Sequence, residues 1–167
     1  QRKHNVPLLY EASCCASIPI IRNLEEYYDN DLLESVEGIV NGSTNYILTK
    51  TSQENISYAD ALKDAQLKGY AESNPILDTG GFDAKYKLLI LIAHAFGWVA
   101  KPEDIFNLGI DHISDLDLNY AREKGLKIKL VAHAEISSEG KIKAFVLPKF
   151  IDKDDKLHAG IVRRTPN

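Results

Sequence analysis

Two runs near the C-terminal end limit the fold most. Lys127 to Ile136 (KIKLVAHAEI) and Lys141 to Leu147 (KIKAFVL) are both strand-like, and the Ser-Ser-Glu-Gly between them reads as a hairpin turn. A two-stranded hairpin is marginal alone in water, so these strands need further strands and a covering layer. The rest of the chain offers both. Glu34 to Val40 (ESVEGIV) alternates like a strand, and residues 6–12 (VPLLYEA) look like a short buried one. Strands and helices mix without a steady βα alternation. The fold class expected is therefore α+β, with a mixed, largely antiparallel β-sheet and helices packed on one face.

The helices announce themselves by their ends. Ser13 to Ser17 is a small-residue turn, and Ile18 to Tyr28 has helical spacing with Pro19 in the first turn, where its missing N–H costs little. Asn41-Gly42-Ser43-Thr44 reads as a turn and helix cap before a helix over Asn45 to Thr51. Ser57 and Asp60 form a capping-box pattern ahead of a helix that stops at Gly69. Asp83 to Phe96, closed by Gly97, is the strongest helical pattern in the chain. Pro102 to Phe106 reads as one short turn. Ser114 caps a last helix that ends at Gly125 after a basic turn, Arg122 and Lys124, as the helix dipole favours. The tail from Asp152 is charged and weakly patterned.

Composition excludes several classes. With 167 residues, 44% hydrophobic and 26% charged, the chain has enough material for one real core. A net charge of −4 and no basic face argue against a nucleic-acid partner. No apolar run approaches the roughly 18–20 residues of a membrane span. The two cysteines, Cys14 and Cys15, are adjacent, which suits neither a disulfide framework nor a metal cage and points to a reducing, cytoplasmic setting. They lack basic neighbours in sequence and are read as small buried side chains. The five histidines are scattered without ligand spacing, and His94 reads as a core or interface residue. The chain starts at Gln1, contains no methionine and has no leader pattern, so it is expected to be an excised piece of a longer polypeptide.

The chemistry concentrates in GYAESNPILDTGGFDAKYK, Gly69 to Lys87. Asp83 and Lys87 sit four apart at a helix start and project from one face. Alone, such a pair is most often an incidental surface ion pair. Glu72 and Asp78 flank Pro75, and alone they are solvated loop charges. Gly80-Gly81 alone is a tight turn needing positive φ. Together, these carboxylates and one ammonium at a helix N-terminus form a pocket that suits a substrate amine, with the Asp–Lys pair placing a proton donor near a carbonyl or hydroxyl.

The run A-x3-G-Y-A-x2-N-P-x2-D-T-x-G-x-D-x3-K, Ala65 to Lys87, resembles the signature of homoserine dehydrogenases. YEASCCASIPII (10–21), VEGIVNGSTNYIL (36–48) and GIDHISDLDLNYAREKGLKIKLVA (109–132) agree in order, so the resemblance runs from residue 9 to about 150. That family reduces aspartate 4-semialdehyde to homoserine with NADPH or NADH, towards threonine, methionine and isoleucine. The resemblance implies that Lys87 is a catalytic lysine moving a proton at the substrate oxygen, with Asp83 its partner and a substrate contact. Glu72 and Asp78 would bind the amino-acid head, while Tyr70 and the Gly42-Ser43 turn line the pocket. It further implies a homodimer formed through the sheet, and a sodium ion at Glu11, Cys14, Ala16 and Ile18.

The chain departs from the family pattern at Cys14, Cys15 and Ser17, where small or glycine residues are usual, and at Thr79, where an aliphatic residue is usual. Ser17 does not share glycine's conformational freedom. No G-x-G-x-x-G occurs, and the poor match of HAGIVRRTPN leaves the end of the chain off the family path. The expectation is that residues 1–167 form the substrate-binding, catalytic and dimerisation domain of such an enzyme without its nucleotide-binding domain or a second family lysine. Such a piece is expected to be inactive alone. The alternative is a non-catalytic amino-acid-binding or oligomerisation module that kept the fold.

Overall fold

The computed structural model describes residues 3–26 and 33–159. Its elements run α1 (Ala12–Cys15), α2 (Ile20–Glu26), β1 (Ser35–Gly38), α3 (Gly42–Glu54), α4 (Tyr58–Leu67), α5 (Ile76–Thr79) and α6 (Phe82–Phe96). A 3-10 turn (Pro102–Asp104) leads to β2 (Phe106–Asn107), α7 (Asp115–Glu123), β3 (Lys127–Ile136) and β4 (Ile142–Ile151), and a second 3-10 turn covers Lys156–Ala159.

The hairpin lies at the centre of a four-stranded sheet ordered β1-β3-β4-β2. β3 and β4 pair antiparallel from Lys127 opposite Ile151 to Ile136 opposite Ile142. β1 joins β3 antiparallel, and β2 joins β4 parallel through Phe106 and Asn107. Alternate residues of a strand face opposite sides. Ile128, Leu130, Ala132 and Ala134 of β3, with Val146 of β4, therefore meet one helical layer made by Ile47 and Leu48 of α3, Ala84, Leu88 and Ile92 of α6, and Leu118 and Ala121 of α7. A smaller cluster of Cys14, Ile21, Leu24 and Leu91 fastens α1 and α2 to α6. The α+β class, the mixed sheet and the one-sided helical layer match the expectation. Among the described residues no helix is long and apolar enough to cross a membrane.

The caps are where the sequence places them. Asn41, Ser57 and Ser114 each accept the N3 backbone N–H of their helix. Lys129 is an exception to the apolar pattern of β3. It is 1% exposed, and its Nζ donates to Asn45 Oδ1 at 2.6 Å and Thr49 Oγ1 at 3.1 Å on α3.

Several expectations need correction. Residues 6–12 are not a buried strand: Leu8 and Leu9 are exposed, the latter at 89%, and Ala12 begins a helical turn. The run has no partner strand among the described residues, and the segment is held instead by the Tyr10 hydroxyl, 2.8 Å from His94 Nε2, whose Nδ1 lies 2.7 Å from Glu25. That contact gives half-buried His94 its place on α6. α2 begins at Ile20, after Pro19 rather than around it, and Tyr27 and Tyr28 lie outside the described residues. α3 starts at Gly42, directly after its cap, and continues to Glu54. The turn expected over Pro102 to Phe106 ends in an edge strand. β4 passes through Pro148 to Ile151. Val146 accepts the Leu108 N–H, so Pro148, two residues on, turns its missing N–H toward the same side, beyond the end of β2. Of the weakly patterned tail, residues 160–167 lie outside the described residues.

Candidate active site

The site is assembled on Asn41, 5% exposed, where the chain leaves β1 and enters α3. Its Oδ1 accepts the Thr44 N–H at 2.8 Å and the Thr44 hydroxyl at 2.9 Å. The Nδ2 then faces the other way and donates to Asp78 Oδ1 at 2.6 Å and to Asp83 Oδ2 at 2.8 Å. Donors on one side and carboxylates on the other fix the amide's orientation. Asp83 Oδ2 also meets Lys87 Nζ at 2.8 Å, and that ammonium donates to the Val40 carbonyl at 3.1 Å. The i,i+4 pair read from the sequence is therefore tied to two other segments. Asp78 Oδ2 and Asp83 Oδ1 make no hydrogen bond among the described residues, and Lys87 keeps a third N–H hydrogen. Asp83 lies in the first turn of α6, at the positive end of its dipole.

The turn carrying these acids is clamped from behind. Gly81 has φ of +78°, but Gly80 has φ of −77°, so only one of the pair needs glycine's left-handed freedom. Gly80 is small for another reason: a Cβ there would stand 2.7 Å from the Ile76 carbonyl oxygen and from the Phe82 ring, and its backbone in turn limits Gly109. A Cβ on Gly109 would stand 2.1 Å from the Thr79 carbonyl oxygen and 2.5 Å from Gly80 Cα. Ile110 N–H donates to the Thr79 carbonyl at 2.7 Å and Asn107 Nδ2 to the Gly80 carbonyl at 2.8 Å. Thr79 is buried, and its hydroxyl donates to the Pro75 carbonyl at 3.1 Å, so its departure from the aliphatic pattern is locally satisfied.

Ser43 and Tyr70 are brought together beside Asn41, with the Ser43 hydroxyl donating to the Tyr70 carbonyl at 2.7 Å. The Tyr70 ring stacks on Tyr46 with centroids 4.2 Å apart. Behind it, Tyr46 donates to Asp64 at 2.7 Å; hydrogen bonds from Lys68 and Tyr46 hold the Asp64 carboxyl down to about 2. Gly42 is exposed and leaves open space beside the cap. Glu72 stands apart. It is exposed, and its carbonyl, rather than its carboxylate, accepts from Gln66 at 3.0 Å.

The N-terminal loop lies behind Lys87. Cys14 is buried with Sγ 3.9 Å from the Lys87 carbonyl, and burial pushes both cysteine thiols up, against any nucleophilic role. Both oxygens of Glu11 accept α2 amides, from Ile21 at 2.8 Å and Arg22 at 3.0 Å, so this carboxylate is a helix cap here. The positive φ of this loop, +52°, falls on Ala16, and Ser17 does not need glycine's conformational freedom. Ile18 is exposed. Among the described residues no three His, Cys, Asp or Glu side chains are grouped to hold a metal.

Sequence reasoning missed the part Asn41 plays beyond capping. Its signal was modest: an Asn cap commits only its oxygen to the helix, which leaves two amide hydrogens to be placed.

A family model for homoserine dehydrogenase matches residues 19–163. A homoserine dehydrogenase of Helicobacter pylori is 45% identical over 135 residues, 81% of this chain and 32% of that protein. The crystal structure of one from Thiobacillus denitrificans superposes with a TM-score of 0.82 at 37% identity, over 87% of this chain and 34% of that one. A hyperthermophilic archaeal homoserine dehydrogenase mutant, solved in complex with NADPH, has a TM-score of 0.70 at 31% identity over 96% of this chain and 45% of its own. The chain thus spans about a third of the length of the first two relatives. With that match over nearly its whole length, the chain belongs to the homoserine dehydrogenase family.

Proposed function

We propose that residues 1–167 are the substrate-binding and catalytic domain of a homoserine dehydrogenase, the part that holds aspartate 4-semialdehyde while NADPH or NADH reduces it to homoserine. The observation that carries this reading is the convergence of Asp78, Asp83 and Lys87 on Asn41 in a chain of this family. The substrate's ammonium meets Asp78, with Glu72 on the exposed side, and Tyr70, Gly42 and Ser43 line the approach. Lys87, oriented by Asp83 and Val40, uses its remaining N–H to stabilise the alkoxide that forms at the aldehyde carbon's oxygen and to protonate it.

The cofactor's phosphates do not fit here. The glycine-rich start of α6 has the form of a helix N-terminal anion site, but Asp78 and Asp83 beside it repel phosphate. NAD(P)H supplies the hydride when bound; the residues described here supply the substrate site and the proton. The chain alone is accordingly expected not to turn over, and NADPH oxidation by it in the presence of aspartate semialdehyde would overturn the division of labour.

Three finer readings accompany the proposal. The sheet face away from the helices carries half-buried His133, Phe145 and Leu147 around buried Val131, with His133 stacked on Phe145, and we propose it as the homodimer surface. A sodium ion at this loop would rest chiefly on the carbonyls of Cys14, Ala16 and Ile18, because both oxygens of the Glu11 carboxylate already cap α2. A cytoplasmic setting suits its free cysteines. The test of the main reading is Lys87→Ala in the full-length enzyme. It should lower kcat by about 10²-fold, the scale of losing a positioned proton donor, whereas a near-normal kcat removes Lys87 from the mechanism.

A further inference from the structure

We infer that Asn41 is the positioning residue of this site, setting Asp78 and Asp83 side by side and, through Asp83, setting Lys87. The inference rests on the proposed function above and adds a role for a residue that touches none of the reacting atoms. Two carboxylates from different segments repel each other unless a donor joins them. Asn41 Nδ2 gives each one a charge-assisted hydrogen bond, at 2.6 and 2.8 Å, and brings no charge of its own. Its Oδ1 is meanwhile committed to Thr44, so α3 fixes the amide in place. The two demands together select the residue type. Asp would cap α3 equally well but would place a third carboxylate where a donor is needed. Ser would cap it with no charge, yet has one hydroxyl hydrogen in place of two amide hydrogens. Both variants keep the cap, so helix stability and carboxylate positioning can be separated.

Two measurements test this. In the labelled chain, the two Asn41 side-chain amide protons should respond separately by NMR, one to Asp78→Asn and the other to Asp83→Asn. If neither proton moves in either variant, the bridge does not exist. In the full-length enzyme, Asn41→Ser should raise KM for aspartate semialdehyde about tenfold and lower kcat about tenfold, the scale of losing one hydrogen bond to each charged partner. Asn41→Asp should lose more in both constants. A folded Asn41→Ser enzyme with wild-type KM and kcat would overturn the positioning role, because Ser keeps the cap and removes only the amide that bridges the acids. A wild-type enzyme that does not oxidise NADPH with aspartate semialdehyde would refute the proposed reaction, and the amide protons would still decide whether Asn41 bridges the acids.

Discussion

Gly109→Ala tests whether the acids are held by the clamp behind them. The added Cβ would lie 2.1 Å from the Thr79 carbonyl oxygen, 2.5 Å from Gly80 Cα and 2.7 Å from the Gly80 carbonyl carbon. An ordinary carbon–oxygen contact is roughly 3.3 Å, so the two segments must part by about 1.2 Å. None of the three obstructing atoms belongs to a side chain that can swing aside; all are backbone. Overpacking of this kind costs about 1–3 kcal/mol. Stretching the Ile110–Thr79 hydrogen bond, 2.7 Å in the intact clamp, costs about 1 kcal/mol more. The expected loss is about 3 kcal/mol, and a chain of this size then melts about 6–12 °C lower. Asp78 precedes Thr79 in the same helical turn, so the displacement reaches the site. A shift of about 1 Å in a binding group is worth on the order of 10²-fold. Thermal unfolding of the chain and kcat/KM of the full-length enzyme read the two consequences. Gly42→Ala is the control for stability, since its Cβ meets nothing within 4 Å. A Gly109→Ala chain that melts within about 2 °C of wild type would show that the clamp yields freely, and the reasoning would fail.

Ala16→Gly should stabilise the chain by about 1 kcal/mol, because Ala16 holds φ of +52° with ψ of −112°, a region open chiefly to glycine. Equal denaturation midpoints for the two chains would place no strain there. Lys129 gives a pH signature. Burial, and secondarily the Lys127 charge, lower its folded value to about 8 from 10.5. Between those limits the unfolded chain binds a proton that the native chain lacks, so this group makes stability rise with pH, by at most about 1.4 kcal/mol per unit. The raised thiols of Cys14 and Cys15, from about pH 9, and the raised tyrosines Tyr46 and Tyr58, from about pH 10, act oppositely. They act alike in wild type and a Lys129 variant, so about pH 8 to 9.5 serves as the window for the difference between them. Urea denaturation should show the wild-type chain gaining on Lys129→Gln across that window, and parallel curves would refute it.

What could be read in advance was local. β3 has the bounds its apolar run suggests, α6 differs by one residue at its start, and all three polar caps are in place, because each signal lies within a few residues of its effect. The i,i+4 spacing likewise gave the Asp83–Lys87 pair. The failures are long-range. VPLLYEA is apolar enough for a strand but has no alternation to give it a face, and its anchor, His94, lies 84 residues beyond Tyr10. β2 exists because β4 offers an edge; a two-residue strand has no pattern of its own. The Gly80 backbone is read only against Gly109. Asn41 meets its acids across 37 and 42 residues, a distance no local pattern carries.

The charge balance of the site follows from where those long-range contacts end. Asp78 arrives on the one-turn helix α5 and Asp83 on the first turn of α6, and a solvated loop would keep them apart. Three positive influences hold them together: the Asn41 amide, the Lys87 ammonium and the N-terminus of α6. The two donors act on particular oxygens, Asp78 Oδ1 and Asp83 Oδ2, and leave the second oxygen of each acid without a protein donor among the described residues. Two carboxylates against one ammonium leave a formal excess of one negative charge, beside a cap where Gly42 leaves open space. An arrangement built only for stability would neutralise that excess, since an uncompensated carboxylate is costly as it loses water. On the proposed function, that excess is what the substrate's ammonium would complete, while the remaining N–H of Lys87 would meet the substrate oxygen. The same imbalance disfavours phosphate, so on the proposed function the acids select the amino-acid end of the reaction over the dinucleotide.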